Sequence, residues 1–251
     1  MTRALFSVLL AIFLSAVSSF GSGRRFTYVY EATTLHPGEF EFENWVTWET
    51  NPPEDSTFDR VDFRHELKFG ITERLQAAVF LADWFYEDGH SVEHEGFTYR
   101  DSALNLIYNL SDPVKDPLGF AIFGEVRAGH EFFLLEGKLI AQKNFGPLVF
   151  AYNATLEAEW EGEDLDHRLG VIQQSLGASY EMNHHLAVGA ELLHEIPVAE
   201  WESVEGHFVY GGPNVSVRGK GWWATLTALA QLTRGEHEPD FQLRAIVGVH
   251  F

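Results

Sequence analysis

From Glu39 to Phe251 apolar residues recur at every second position, segment after segment, with no stretch of helical period. Phe40, Phe42, Val46 and Trp48 share one parity, opposite Glu39, Glu41 and Glu43. Val61, Phe63, Leu67 and Phe69 alternate with Asp62, Arg64, Glu66 and Lys68, and Phe120, Ile122 and Val126 with Phe123, Glu125 and Arg127. Leu148, Phe150, Tyr152, Leu156 and Trp160 oppose Asn153, Thr155, Glu157 and Glu159. Successive side chains of a strand point to opposite faces, so each segment has an apolar face and a charged one. About twelve such strands can be counted, each near the ~9–11 residues that a tilted strand needs to cross a bilayer. Leu75 to Tyr86 is apolar on both parities, which leaves its orientation open.

The start of the chain says where such strands go. Met1-Thr2-Arg3 is a short basic start, followed by the apolar run Ala4 to Val17 and the small-residue stretch Ser18 to Gly23. That order is the pattern of a secretory signal, expected over residues 1–23 with cleavage between Ser19 and Gly23. The run is shorter than the ~20 apolar residues of a membrane-spanning helix. Residues 24–38 are then expected as a periplasmic N-terminal segment and residues 39–251 as the barrel. With no Cys, disulfide scaffolds and thiolate chemistry are excluded. With 37 Asp+Glu against 17 Lys+Arg, a net charge of −20, a nucleic-acid partner is excluded as well.

The gaps between strands alternate in length. Asn51 to Phe58, Glu87 to Phe97, Glu161 to Arg168, His194 to Gly206 and Arg234 to Asp240 are long and mostly acidic. The gaps at Gly70 to Arg74, Asn144 to Pro147, Asn183 to His185 and Gly219 to Gly221 are tight. Outer-membrane barrels sort their connections in this way, with long loops outside and short turns in the periplasm. A soluble sandwich has no reason to do so. Two gaps depart from the rule: Ser111 to Gly119 is long for a turn, and His130 to Phe133 is short for a loop. The expected fold is an all-β, antiparallel, up-and-down transmembrane barrel. A mean hydropathy close to zero fits it, because lipid-facing and lumen-facing residues alternate.

Aromatic residues gather at strand ends. Trp48 and Trp160 lie where the outer interface is expected, and Phe69, Tyr108, Phe145, Trp222 and Phe251 lie at the periplasmic one. Two such girdles are what headgroup depth selects. Phe241, Leu243, Ala245, Val247, Val249 and Phe251 form one face of the last strand. This ending resembles the C-terminal signal of bacterial outer-membrane proteins, and the resemblance implies that the barrel-assembly machinery reads Phe251. The stretches Gly70 to Gln76 and Gly211 to Trp223 resemble the porin-like family labelled for the MetA pathway of phenol degradation. That resemblance implies a channel or transport role without naming a substrate.

The expected lumen face carries Glu39, Glu41, Glu43, Asp62, Glu66, Asp101, Glu125, Glu136, Glu157, Glu159 and Glu191, with Arg64, Lys68, Arg127, Lys138, Arg218 and Arg244 as its bases. An open lumen with this acidic excess would prefer cations. The same charges could instead pair across strands and fill a narrow barrel. The two expectations are therefore a porin-like channel for small solutes and a plugged structural or adhesive barrel working through its acidic loops. Divalent ions bridging those loops to lipopolysaccharide would make the outer leaflet a partner. No catalytic set emerges, since no outward Ser stands beside a His, and the chain reads as a non-enzyme without cofactor. Outward His65 is a polar misfit, expected to mark a local bulge or interfacial depth rather than catalysis. His90, Glu93, His94 and Glu95 could hold a divalent metal, but their i, i+4 spacing falls on a loop rather than a helix, so a solvated acidic loop is expected instead. Gly211-Gly212-Pro213 is expected as another bulge.

Overall fold

The computed structural model describes residues 23–92, 95–235 and 238–251. The expected signal therefore lies outside the described residues except for Gly23, as do Glu93 and His94.

The strands follow the alternation. They are β1 (Phe40–Thr50), β2 (Asp59–Gly70), β3 (Leu75–Asp88), β4 (Gly96–Asn109), β5 (Gly119–Gly129), β6 (Phe132–Phe145) and β7 (Leu148–Glu161). They continue with β8 (His167–Asn183), β9 (Leu186–Ala199), the two-residue β10 (Ser203–Val204), β11 (Phe208–Gly219), β12 (Trp222–Gln231) and β13 (Phe241–His250). Each long strand pairs antiparallel with its neighbours in the chain, and β13 returns to pair with β1 from Glu41↔His250 to Thr50↔Phe241. The result is a closed barrel of twelve long strands, with β10 attached only to β9 in a loop. Closure leaves no unpaired edge, the one condition under which a sheet can face lipid.

The apolar parity faces out. Leu104, Leu106, Ile122, Leu139, Leu156 and Leu176 are each more than two-fifths exposed, whereas Glu43, Asp101, Asn105 and Asn153 are buried inside. Ordinary globular burial is inverted because the solvent for the outer wall is hydrocarbon. The outer rings also pair at both ends: Trp48 meets Phe241 edge-on, Phe40 stacks on Phe251, and Trp160 packs against Phe133 and Trp201.

The irregular strands have local causes. The β2–β3 register slips between His65 and Glu66, as expected for a bulge, and β3 slips again against β4 around Phe80 and Asp83. Those slips explain the double apolar parity of Leu75 to Tyr86, since an extra residue lets Phe80 and Asp83 both point inward. Gly211-Gly212-Pro213 corrects its expectation. It pairs with β9 in unbroken register and only skips two rungs towards β12, where Pro213 has no N–H to give. Gly212 is required there because a Cβ would stand 1.9 Å from the Ala228 carbonyl oxygen. The short link between β5 and β6 is a tight turn with Glu131 at φ 59°. The long Ser111 to Gly119 gap folds on itself, with Asp112 accepting from Val114 N and Lys115 N, and Ser111 Oγ joining Leu118 O to Phe120 N.

Residues 24–38 contradict their expected place. They do not hang below the barrel: much of the segment runs inside it. Gly38 N bonds Gly70 O at the turn end of the wall, and the preceding residues lead from there into the lumen.

Candidate lumen site

The inserted segment enters and leaves at the turn end. Its start lies beside the last residues of β11, where Ser216 Oγ and Asn214 Nδ2 donate to the carbonyls of Arg24 and Arg25 at 2.9 and 2.8 Å. Its apex is near Tyr28, whose hydroxyl reaches Gln242 at the start of β13, 3.1 Å away. It then descends past Tyr30 and Ala32 to Leu35, which donates to Gln76 at the start of β3. Phe26, Tyr28, Val29 and Ala32 are buried.

Among the described residues no strand pairs with this segment, so its backbone must find partners elsewhere. The wall side chains provide them. Glu191 accepts from three successive amides, Thr27 N at 2.9 Å, Tyr28 N at 2.7 Å and Val29 N at 2.9 Å, and also from Thr227 Oγ1 and Asn214 Nδ2. Asn153 takes both sides of Tyr30, accepting from its N–H at 2.6 Å and donating to its carbonyl at 2.9 Å. Gln142 accepts from Ala32 N at 2.7 Å. Within the segment Glu31 accepts from both the backbone and the guanidinium of Arg25, holding the loop closed. Phe26 sits against Gly177, where a Cβ would meet its ring at 2.7 Å.

Most charges around the segment are paired. Lys68 Nζ contacts Glu43, Glu41 and Glu66 together. Arg127 bonds Asp83 and Asp101 at 2.6 Å each, and Arg64 reaches Asp83 and Glu125 at 2.8 and 3.3 Å. Arg100 pairs with Glu159, Lys138 with Glu136, and Arg218 with Glu181. Asp62 pairs with Arg60. Arg24 lies over Tyr30 and Trp45 at 4.3 and 4.6 Å, and Arg244 over Tyr28 at 3.9 Å while donating to Thr47. Buried charge is tolerated where each ion has partners, and these pairs supply them.

Two open spaces remain on either side of the segment. Towards the long loops lies a vestibule of about 250 Å³, lined among others by Glu49, Glu157, Glu195, Arg244 and Tyr28. At the turn end a mouth of about 790 Å³ opens between the segment and the Ser111 to Gly119 connection. Among the described residues Glu49, Glu157 and Glu195 have no basic group within ion-pair distance; Glu195 accepts only from Gln173.

The residues expected in the lumen from β1 through β13 line its wall or its occupant, while Glu39 stands at the turn-end rim, accepting from His36 N. Several lumen groups were not legible. Asp83 was hidden in the doubly apolar stretch and Arg100 beside a register slip; Trp45 turns an aromatic inward against Phe80. Arg24, Arg25 and Glu31 lie on a segment without period. On the outer face His65 is fully engaged, with Nδ1 2.8 Å from Asn44 Oδ1 and Nε2 3.2 Å from Trp84 Nε1. A ring with both nitrogens occupied braces the bulge and offers no base to a nucleophile.

A family model matches residues 18–245. The chain belongs to DUF6662, a family of unknown function. Among solved structures the DUF6662 barrel is similar to the COG4313 outer-membrane channel from Pseudomonas putida F1. The TM-score is 0.64 at 13% identity over 88% of this chain and 98% of that one. It is also similar to the NanC porin, with TM-score 0.54 at 7% identity over 84% and 98% of the two chains. The KdgM porin, solved with disordered oligogalacturonate, gives TM-score 0.53 at 9% identity over 85% and 98%. At these identities the likeness establishes a shared fold, that of outer-membrane β-barrels. No curated protein matches the chain.

Proposed function

We propose that this DUF6662 protein is an outer-membrane, porin-like channel for small solutes, seen here closed by its own N-terminal segment, and that it prefers cations when open. The observation that carries the reading is how the lumen is filled. A structural core would be apolar side chains packed throughout. Here the occupant's backbone is held largely by amide, hydroxyl and carboxylate groups of the wall, with open volumes on both sides. Water can replace such bonds at small net cost. The unpaired carboxylates of the vestibule support the cation preference. The long loops would face outward, and Phe251, bonded through its N–H to Phe40 O at the seam, would be the end read by the assembly machinery.

Conductance of the refolded protein in planar bilayers tests this. Discrete steps, with a reversal potential shifted towards the cation in a salt gradient, are expected. Absence of steps in every salt, also after Phe26→Ala loosens the segment, would leave the second reading: a permanently plugged structural or adhesive barrel. The filled lumen is what favours that alternative.

A further inference from the structure

Beside the side-chain contacts of Arg25 with Glu181 and of the Tyr28 hydroxyl with Gln242, a series of wall side chains bonds the main chain of the inserted segment. Glu191 reads three consecutive N–H groups, Asn153 reads the N–H and the C=O of one residue, and Gln142 and Gln76 each read one N–H. Asn214 and Ser216 read two successive carbonyls at the segment's start. With Thr225, which also donates to the Arg24 carbonyl, the reading groups come from β3, β6, β7, β9, β11 and β12, so they form a track from the turn end to mid-lumen and back. A side chain that recognises backbone is indifferent to which residue carries it, so specificity must come from seats for the occupant's side chains. The seats are present as well: the notch at Gly177 takes Phe26, and Leu193, Tyr210 and Leu229 surround Tyr28.

We propose that the lumen wall is a binding track for a bent, irregular peptide, with Glu191 as its central acceptor, and that the chain's N-terminal segment is its resident, displaceable occupant. The ligand class is an irregular peptide stretch presenting consecutive free N–H groups and an aromatic side chain. A carboxylate that accepts three amides outcompetes water only while all three converge on it, so binding is sensitive to a single missing N–H.

The test uses the full chain carrying Phe26→Ala, which weakens the resident and leaves every main-chain reader intact. The probe is a fluorescent peptide with the sequence of residues 23–36, acetylated and amidated. Saturable binding to Phe26→Ala is expected. Adding Glu191→Ala should weaken binding about tenfold or more, as one to two charge-assisted hydrogen bonds imply. N-methylation of the peptide at its Tyr28 position should do the same, whereas N-methylation at Thr33, whose N–H meets no wall side chain among the described residues, should not. A disulfide between Ala32→Cys and Ala121→Cys, two buried neighbours in a chain with no other Cys, should abolish binding until it is reduced. Two results overturn the proposal. One is no saturable binding by a Phe26→Ala barrel that keeps heat-dependent gel mobility. The other is equal affinity for the peptide N-methylated at Tyr28, which would make the segment mere apolar filling. Peptide binding without any conductance would sink the channel reading and leave the track standing, and conductance without peptide binding would do the reverse.

Discussion

The wall and the segment inside it solve the same backbone problem in opposite ways. Every long wall strand passes its N–H and C=O groups to its neighbours, and the last ladder, β13 to β1, closes the ring. The inserted segment makes no ladder and relies on Glu191, Asn153, Gln142 and Gln76. The difference teaches that irregular backbone is possible at membrane depth only where protein provides the partners. Wall order is imposed by lipid, and segment order is lent by the wall. One side of each strand must therefore be apolar and the other rich in hydrogen-bonding groups.

The strongest way to break this division is to remove a charge the lumen depends on. Lys68→Ala leaves Glu41, Glu43 and Glu66 together without their shared cation. We expect a loss of about 3–5 kcal/mol in urea unfolding from lipid or detergent. Lys68→Met should be no milder, because the carboxylates and not the volume are what is left unsatisfied.

The second test moves a charge by one residue. Lys138 faces the lumen and Leu139, 64% exposed, faces lipid. Leu139→Lys should cost about 2–4 kcal/mol, the penalty for a cation at the hydrocarbon midplane. Equal stability of Leu139→Lys and wild type would show that this face does not meet lipid.

A smaller effect concerns the brace of the outer bulge. His65→Ala removes the link between Asn44 and Trp84, and about 1 kcal/mol is expected, since both partners are only partly buried. Hydrogen exchange should speed up at β2 and β3 and stay unchanged across the lumen at β9. A uniform change would mean that the brace is global.

The smallest effect lies outside the membrane. In the Ser111 to Gly119 turn, the backbone N–H groups of Val114 and Lys115 hold the Asp112 carboxyl below its ordinary range. In the loop after β1, the Thr57 hydroxyl and N–H, helped by Ser91 N, do the same for Asp55. A depressed carboxyl contributes its full stabilisation above the ordinary pKa of about 3.9 and loses it as pH falls through the lower, folded value. Protease sensitivity of both connections should thus be flat from pH 7 to about 4 and rise only below that. A rise already between pH 6 and 5 would contradict these hydrogen bonds. Asp112→Asn should abolish the acid transition at its own turn alone.

The same contrast separates what is local from what is not. Lys68, Arg127, Lys138 and Glu191 were legible as inward residues because a strand's parity is a local property. The slip at His65 was legible too, because a polar side chain on a lipid-facing parity is costly unless the strand shifts around it. Asp83 and Arg100 were not, since a register slip shifts parity without leaving a mark in composition. Which charges pair was equally hidden: Arg64 and Arg127 meet on Asp83, which is distant from both along the chain.

By itself the sequence determined the strands and, away from the register slips, the faces they present, because alternation at period two is enforced residue by residue against lipid. Only the tertiary structure decided that residues 24–38 turn inward rather than away from the barrel. That segment has no period to read, and its main-chain partners stand on six strands spread over the chain. Closure alone brings those side chains around one axis, where a carboxylate such as Glu191 can gather three amides.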